Sequence, residues 1–181
     1  MKPGEAIKEK KIRGKKVIFR VPTQNDWKQL WENYNLVITG TEFMGMETPV
    51  KPEDTKKWIS KTLDSLKEKK LVIVSAEVDG RLVGNCDITK EELEVKKHTG
   101  HLGVYVIAGY RNMGIGTELI KIAMEEAKKI GIEVVTLDVV AENKTARDIY
   151  KKCGFKIVGE IEKGYKRKSG YQDMIVMMKH L

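Results

Sequence analysis

Two short stretches in the second half of the chain carry the residue types that chemistry would need. Gly114 and Gly116 follow an apolar run, His101 to Ile107, and open a helical pattern. In a strand, Gly-turn, helix arrangement, the free N–H groups and the dipole of the helix start converge on an anion, and glycine leaves no side chain between backbone and phosphate. Arg111 adds a cation that can meet a phosphate oxygen. Residues Arg111, Asn112, Met113, Gly114, Ile115, Gly116 and Thr117 therefore form a candidate phosphate cradle. A tight strand-to-helix connection with no ligand accounts for the same glycines.

The second stretch is Asn143-x-x-Ala146-x-x-x-Tyr150-x-x-x-Gly154-Phe155. Asn143 stands where a helix needs a cap, and its amide keeps a donor for a second partner. Ala146 is small enough to allow close approach. Tyr150 carries a phenol, with a reference pKa of about 10, that can act as a proton donor when held in place.

Commoner users of a Gly-rich cradle fail on single residues. A dinucleotide fold wants a third glycine where Leu119 stands, and a P-loop wants a lysine between Gly116 and Thr117.

The elements that must position these residues can be read from periodicity. Val17 to Val21 reads as a strand, and Thr23 with Asp26 as a capping box opening a helix through Trp27, Leu30, Trp31 and Tyr34. Pro52 suits the first turn of a second helix. Leu71 to Val78 and Leu82 to Thr89 flank Asp79-Gly80, a hairpin signal. A helix runs from the Gly turn to about Ile130, Val134 to Val140 reads as a central strand, and a short helix spans Asn143 to Cys153. Phe155 to Ile161 and Tyr171 to Met178 close the chain as strands joined by a basic loop, Lys163 to Gly170. The fold class is α/β (α+β): one domain with a mixed, mostly antiparallel sheet of about seven strands flanked by about four helices.

Arg111-x-x-Gly114-x-Gly116 after a strand, followed by the Asn143 to Phe155 segment, resembles the two cofactor motifs of the GNAT family of N-acetyltransferases. The resemblance implies acetyl-CoA as cosubstrate and a primary amine, on a protein N-terminus or a small molecule, as acceptor. It implies that the backbone of Val104, Tyr105 and Val106 pairs with the pantetheine arm along a strand edge, with Gly103 placed to make a bulge there. Asn143 and Ala146 would line the cofactor, and Tyr150 would be the general acid. For the general base, His101, Glu47 and Glu42 stand open. Tyr171-x-Asp173-x-x-x-Met177 is similar to the subgroup that includes the ribosomal-protein N-terminal acetyltransferases and related small-amine or antibiotic acetyltransferases. Trp27, Trp31, Phe43 and Met46 are either acceptor-pocket lining or, for the tryptophans above all, core.

Composition narrows the remaining classes. Of the net charge of +8, residues 1 to 20 supply +6, from eight Lys/Arg against Glu5 and Glu9. Residues 1–16 are thus expected to be a solvated basic arm, with the acetyltransferase domain at 17–181. The basic stretches lack interleaved aromatics apart from Tyr165, which argues against a nucleic-acid module, the alternative to catalysis along with a turnover-free CoA sensor. Cys86 and Cys153 read as packed reduced thiols, with no metal site. No stretch is apolar enough to cross a bilayer, so a cytoplasmic protein is expected; a homodimer is left open.

Overall fold

A computed structural model describes residues 1–181. The elements are β1 (Ala6–Ile12), β2 (Lys15–Arg20), α1 (Trp27–Gly40), α2 (Pro52–Lys67), β3 (Leu71–Val78), β4 (Arg81–Lys90), β5 (Thr99–Val106), α3 (Ile115–Lys129), β6 (Val134–Val140), α4 (Lys144–Lys152), β7 (Lys156–Arg167) and β8 (Gly170–His180). They form one eight-stranded sheet in the order β1-β2-β3-β4-β5-β6-β8-β7. Every neighbouring pair is antiparallel except β5 and β6.

Alternation along the strands divides the core between the two faces. Ile73 and Leu82 pack with Leu30 of α1 and with Ile59, Leu63 and Leu66 of α2. Val72, Val74, Cys86 and Ile88 point the other way and meet Leu119, Ile120, Ala123 and Ala127 of α3, in a cluster that continues to Tyr150 and Cys153. Both cysteines are free and buried.

Two expectations need correction. Residues 1–16 are not a loose arm, because Ala6–Ile12 pairs with β2 and raises the strand count to eight. Arg13 and Gly14 both take positive φ, the conformation a two-residue hairpin turn demands. Arginine is not a usual residue for that position, so the sequence hides the turn. Ile12 is buried in the α3-side core, which anchors the hairpin. The other correction concerns Lys163 to Gly170, which is largely strand. A register shift interrupts β7 between Ile161 and Tyr165, and pairing then resumes from Tyr165↔Gln172 to Arg167↔Gly170.

The Thr23–Asp26 capping box forms, and it is tied to the sheet. Arg20 of β2 grips Asp26 with both terminal nitrogens, at 2.8 and 2.9 Å, and donates its Nε to Glu77 of β3 at 2.6 Å. Burial alone would raise the Asp26 carboxyl, but hydrogen bonds from Arg20 and Thr23 outweigh it and hold the group below its usual range. Replacing Arg20 with Met strands two largely buried carboxylates, so Arg20→Met should destabilise the protein by about 2–3 kcal/mol at neutral pH. Urea unfolding midpoints would measure this. The loss should shrink as pH falls through the carboxylate range, where Asp26 loses its charge.

Candidate functional site

The parallel pairing of β5 with β6 lasts only from Thr99↔Val134 to His101↔Thr136. β5 stays in register with β4 as far as Gly84↔Val106, and β6 stays with β8 as far as Val140↔Met174. Between them the sheet opens, and the β6-facing edge of Leu102 to Val106 has no partner strand. Val104, Tyr105 and Val106 thus lie along a free edge. No bulge occurs at Gly103, because the β4–β5 register is unbroken. The opening comes instead from β6 keeping its pairing with β8 while β5 keeps its pairing with β4.

At the end of β5 the chain turns into α3. Asn112 has φ of 59° and Gly114, the helix cap, has φ of 93°. No side chain caps the α3 start, so its first N–H groups remain available. Arg111 is exposed and donates Nε to the Val106 carbonyl at 2.8 Å, which ties the turn to the strand and leaves the rest of the guanidinium outward. Ile115 is buried in the core and Met113 packs against it, so both anchor the turn; Gly116 and Thr117 continue the helix start. A free strand edge leading to uncapped helix N–H groups fits a ligand with an amide-bearing arm and a phosphate end.

Asn143 caps α4, its side-chain oxygen accepting from Ala146 N at 3.2 Å. Tyr150 lies near the far end of that helix and is buried, its ring packed edge-on to Phe155 at 6.0 Å. Burial, with smaller contributions from Cys86, Tyr165 and Cys153, pushes its phenol well above the ordinary value, so Tyr150 keeps its proton throughout the physiological range.

On the opposite face of the sheet is a residue that the sequence reading missed. Asp87 pairs across β4–β5 with Gly103, and its carboxylate lies 3.5 Å from where a Cβ at Gly103 would stand. Burial alone raises its pKa to about 7, with no cation or donor to offset it. Burial, joined by the charge of Asp87, raises the phenols of Tyr34 and Tyr105, whose rings lie 5.8 Å apart. Nothing in the local sequence Asn85-Cys86-Asp87-Ile88 marks Asp87. Only the pairing with a glycine beside the opening does.

The other candidates have different partners. Glu47 is exposed and accepts the Lys168 backbone N–H at 3.2 Å, which fastens the α1–α2 loop to the β7–β8 turn. His101 is exposed, on the same face as Asp87, where the β5–β6 pairing ends. Asp173 accepts from Lys163 N at 2.8 Å. Trp27 packs against the α1–α2 core and Trp31 donates to the Val50 carbonyl, so both serve the fold.

The model of the acetyltransferase (GNAT) family matches residues 30–155. The chain belongs to that family. Over 107 residues it is 36% identical to an N-alpha-acetyltransferase of Sulfurisphaera tokodaii, a stretch covering 53% of this chain and 63% of that protein, under two thirds of its length. A ribosomal-protein-alanine N-acetyltransferase of Brucella melitensis superposes with a TM-score of 0.82 at 25% identity, covering 90% of this chain and 99% of that one. A putative acetyltransferase from Salmonella typhimurium, solved with its cofactor acetyl-CoA, has the same fold with a TM-score of 0.82 at 17% identity, over 91% and 94% of the two chains.

Gly114 supplies the conformation on which the turn depends. Gly114→Val puts a β-branched residue at positive φ, which should cost about 1–3 kcal/mol of stability and weaken coenzyme A binding at least tenfold. Thermal melts and isothermal titration of the purified variant would read both effects.

Proposed function

We propose that the chain transfers the acetyl group of acetyl-CoA to a primary amine, on a protein N-terminus or a small molecule, by direct attack. One observation supports this reading: a free strand edge leads directly into an uncapped helix start, and a buried tyrosine stands on the helix that follows β6. The cosubstrate brings an activated acetyl thioester. The edge of Val104 to Val106 would hold its amide arm, and the N–H groups of Gly114 to Thr117, with Arg111, would hold its phosphates.

Two side chains then manage the protons. Asp87 accepts the proton that the amine sheds as its nitrogen bonds to the acetyl carbon. Tyr150 gives its hydroxyl proton to the sulfur as the carbon–sulfur bond breaks. Both groups return to their starting forms by exchange with water. Asp87 is preferred to His101 and Glu47 because a base with a pKa of about 7 is half ionised at neutral pH and still basic enough to take a proton. Asp87 is also only partly exposed, beside Tyr34 and Tyr105.

Tyr150→Phe should lower kcat at least tenfold and leave the Kd for acetyl-CoA unchanged. Thiol release assayed over N-terminal peptides, polyamines, aminoglycosides and amino acids would show this once an acceptor is found. An unchanged kcat would remove Tyr150 from the chemistry.

Asp87 should add a limb to the pH profile, with kcat/KM rising through about pH 7 as the carboxyl ionises. Asp87→Asn should abolish that limb and cut kcat by about a hundredfold. The same variant should gain stability. A folded-state pKa above the unfolded value of about 3.9 means that folding penalises the carboxylate increasingly between about pH 4 and pH 7. Asp87→Asn should therefore melt higher than the parent at pH 8 and match it near pH 4. Equal melting temperatures at both pH values would contradict the burial of this charge.

A further inference from the structure

We infer that the β1–β2 hairpin belongs to the cofactor site, with Lys8, Lys10 and Lys15 forming a cationic wall for the phosphates of coenzyme A; this presupposes that acetyl-CoA is the donor. The hairpin lies outside the residues matched by the family, 30–155. It carries most of the chain's net charge, since residues 1 to 20 supply +6 of the net +8.

The sheet register places these lysines. Lys8 pairs with Phe19, Phe19 with Ala76, Ala76 with Gly84, and Gly84 with Val106. Lys8 therefore stands in the same row across the sheet as the last residue of β5, where the phosphate turn begins. Lys10 lies further along toward the Arg13-Gly14 turn, and Lys15 starts the returning strand.

Contacts with α3 give the placement a consequence. Glu118 lies in the first turn of α3, two residues after Gly116, where a bare carboxylate would repel an anion arriving at the helix start. Lys10 Nζ is 2.7 Å from one of its oxygens and Lys8 Nζ is 3.5 Å from the other. Partial burial by itself would raise the Glu118 carboxyl, but the hydrogen bond and charge of Lys10, joined by Lys8, hold it below its usual value. Two cations on one carboxylate leave a net positive charge beside the cradle. Lys15 adds a third, its Nζ 5.8 Å from the ring of Tyr110, the residue before Arg111. Coenzyme A carries a pyrophosphate and a ribose phosphate, and that charge is the complement of this surface.

The test is calorimetric binding of coenzyme A, dephospho-coenzyme A and S-acetylpantetheine to the full chain and to two variants. In K8Q/K10Q/K15Q the Kd should rise about tenfold for coenzyme A and less for dephospho-coenzyme A, with no change for S-acetylpantetheine. Added salt should erase the difference between parent and variant. Glu118→Gln should act in the opposite sense, tightening coenzyme A about threefold by freeing both lysines, whereas a merely structural ion pair would loosen it. Equal loss for all three ligands, or no loss for any, overturns the inference and leaves the transferase reading standing. So would salt-sensitive binding of a single-stranded oligonucleotide that vanishes in the triple variant while coenzyme A affinity holds. Failure of the parent protein to bind coenzyme A at all would overturn the donor assignment itself, and the inference with it.

Discussion

The site depends on the refusal of β5 and β6 to stay paired beyond three residues. Each strand is committed on its other side, β5 to β4 through Val106 and β6 to β8 through Val140. Backbone polar groups left unpaired in a sheet interior are costly unless water or a ligand satisfies them. The edge of Leu102 to Val106 is therefore a row of donors and acceptors in want of an extended partner, and the turn at its end supplies more donors. A binding site follows from sheet topology before any side chain is considered.

Electrostatics then differ sharply between the two ends of that opening. At the α3 start the groups are exposed and cationic, with Arg111, Lys8, Lys10 and Lys15 around a capless helix. Deeper in, desolvation raises the Asp87 carboxyl to about 7 and is the largest of the causes that keep Tyr150 protonated. Charge attracts and holds an anion where water is plentiful, while proton transfer takes place where water is scarce and pKa values can be moved. A carboxylate kept in such a place is a source of instability, and that is an expected companion of function.

Much of this was legible from residues alone. The glycines before α3 and the Asn143 to Phe155 segment are local motifs, and a local motif survives in sequence because each residue's role depends on near neighbours. The Asp79-Gly80 turn and the Thr23–Asp26 box were legible for the same reason. What escaped is non-local. Asp87 is one aspartate among many until the β4–β5 register sets it opposite Gly103. β1 was hidden because its lysines mimic a solvated tail and its turn uses Arg13 where Asn or Asp is usual. The far half of β7 was hidden by a mid-strand register shift, which in sequence looks like the end of a strand.

The alternation of β4 gives the proposed chemistry its geometry. Cys86 and Asp87 are adjacent, so their side chains leave the sheet on opposite faces. Cys86 joins the α3-side core and lies within electrostatic reach of Tyr150. Asp87 faces the other way, beside Tyr34 of α1 and Tyr105 of β5. Acid and base would thus stand on opposite sides of one sheet and reach each other's territory only through the β5–β6 opening. Such a separation is useful, because a buried carboxylate in contact with the phenol would take its hydrogen bond and disable both. With the sheet between them, an amine arriving on the α1 face can lose its proton to Asp87 while the sulfur on the α4 face gains one from Tyr150. The bond exchanged between them would then be made and broken within the opening itself, the one place accessible from both faces.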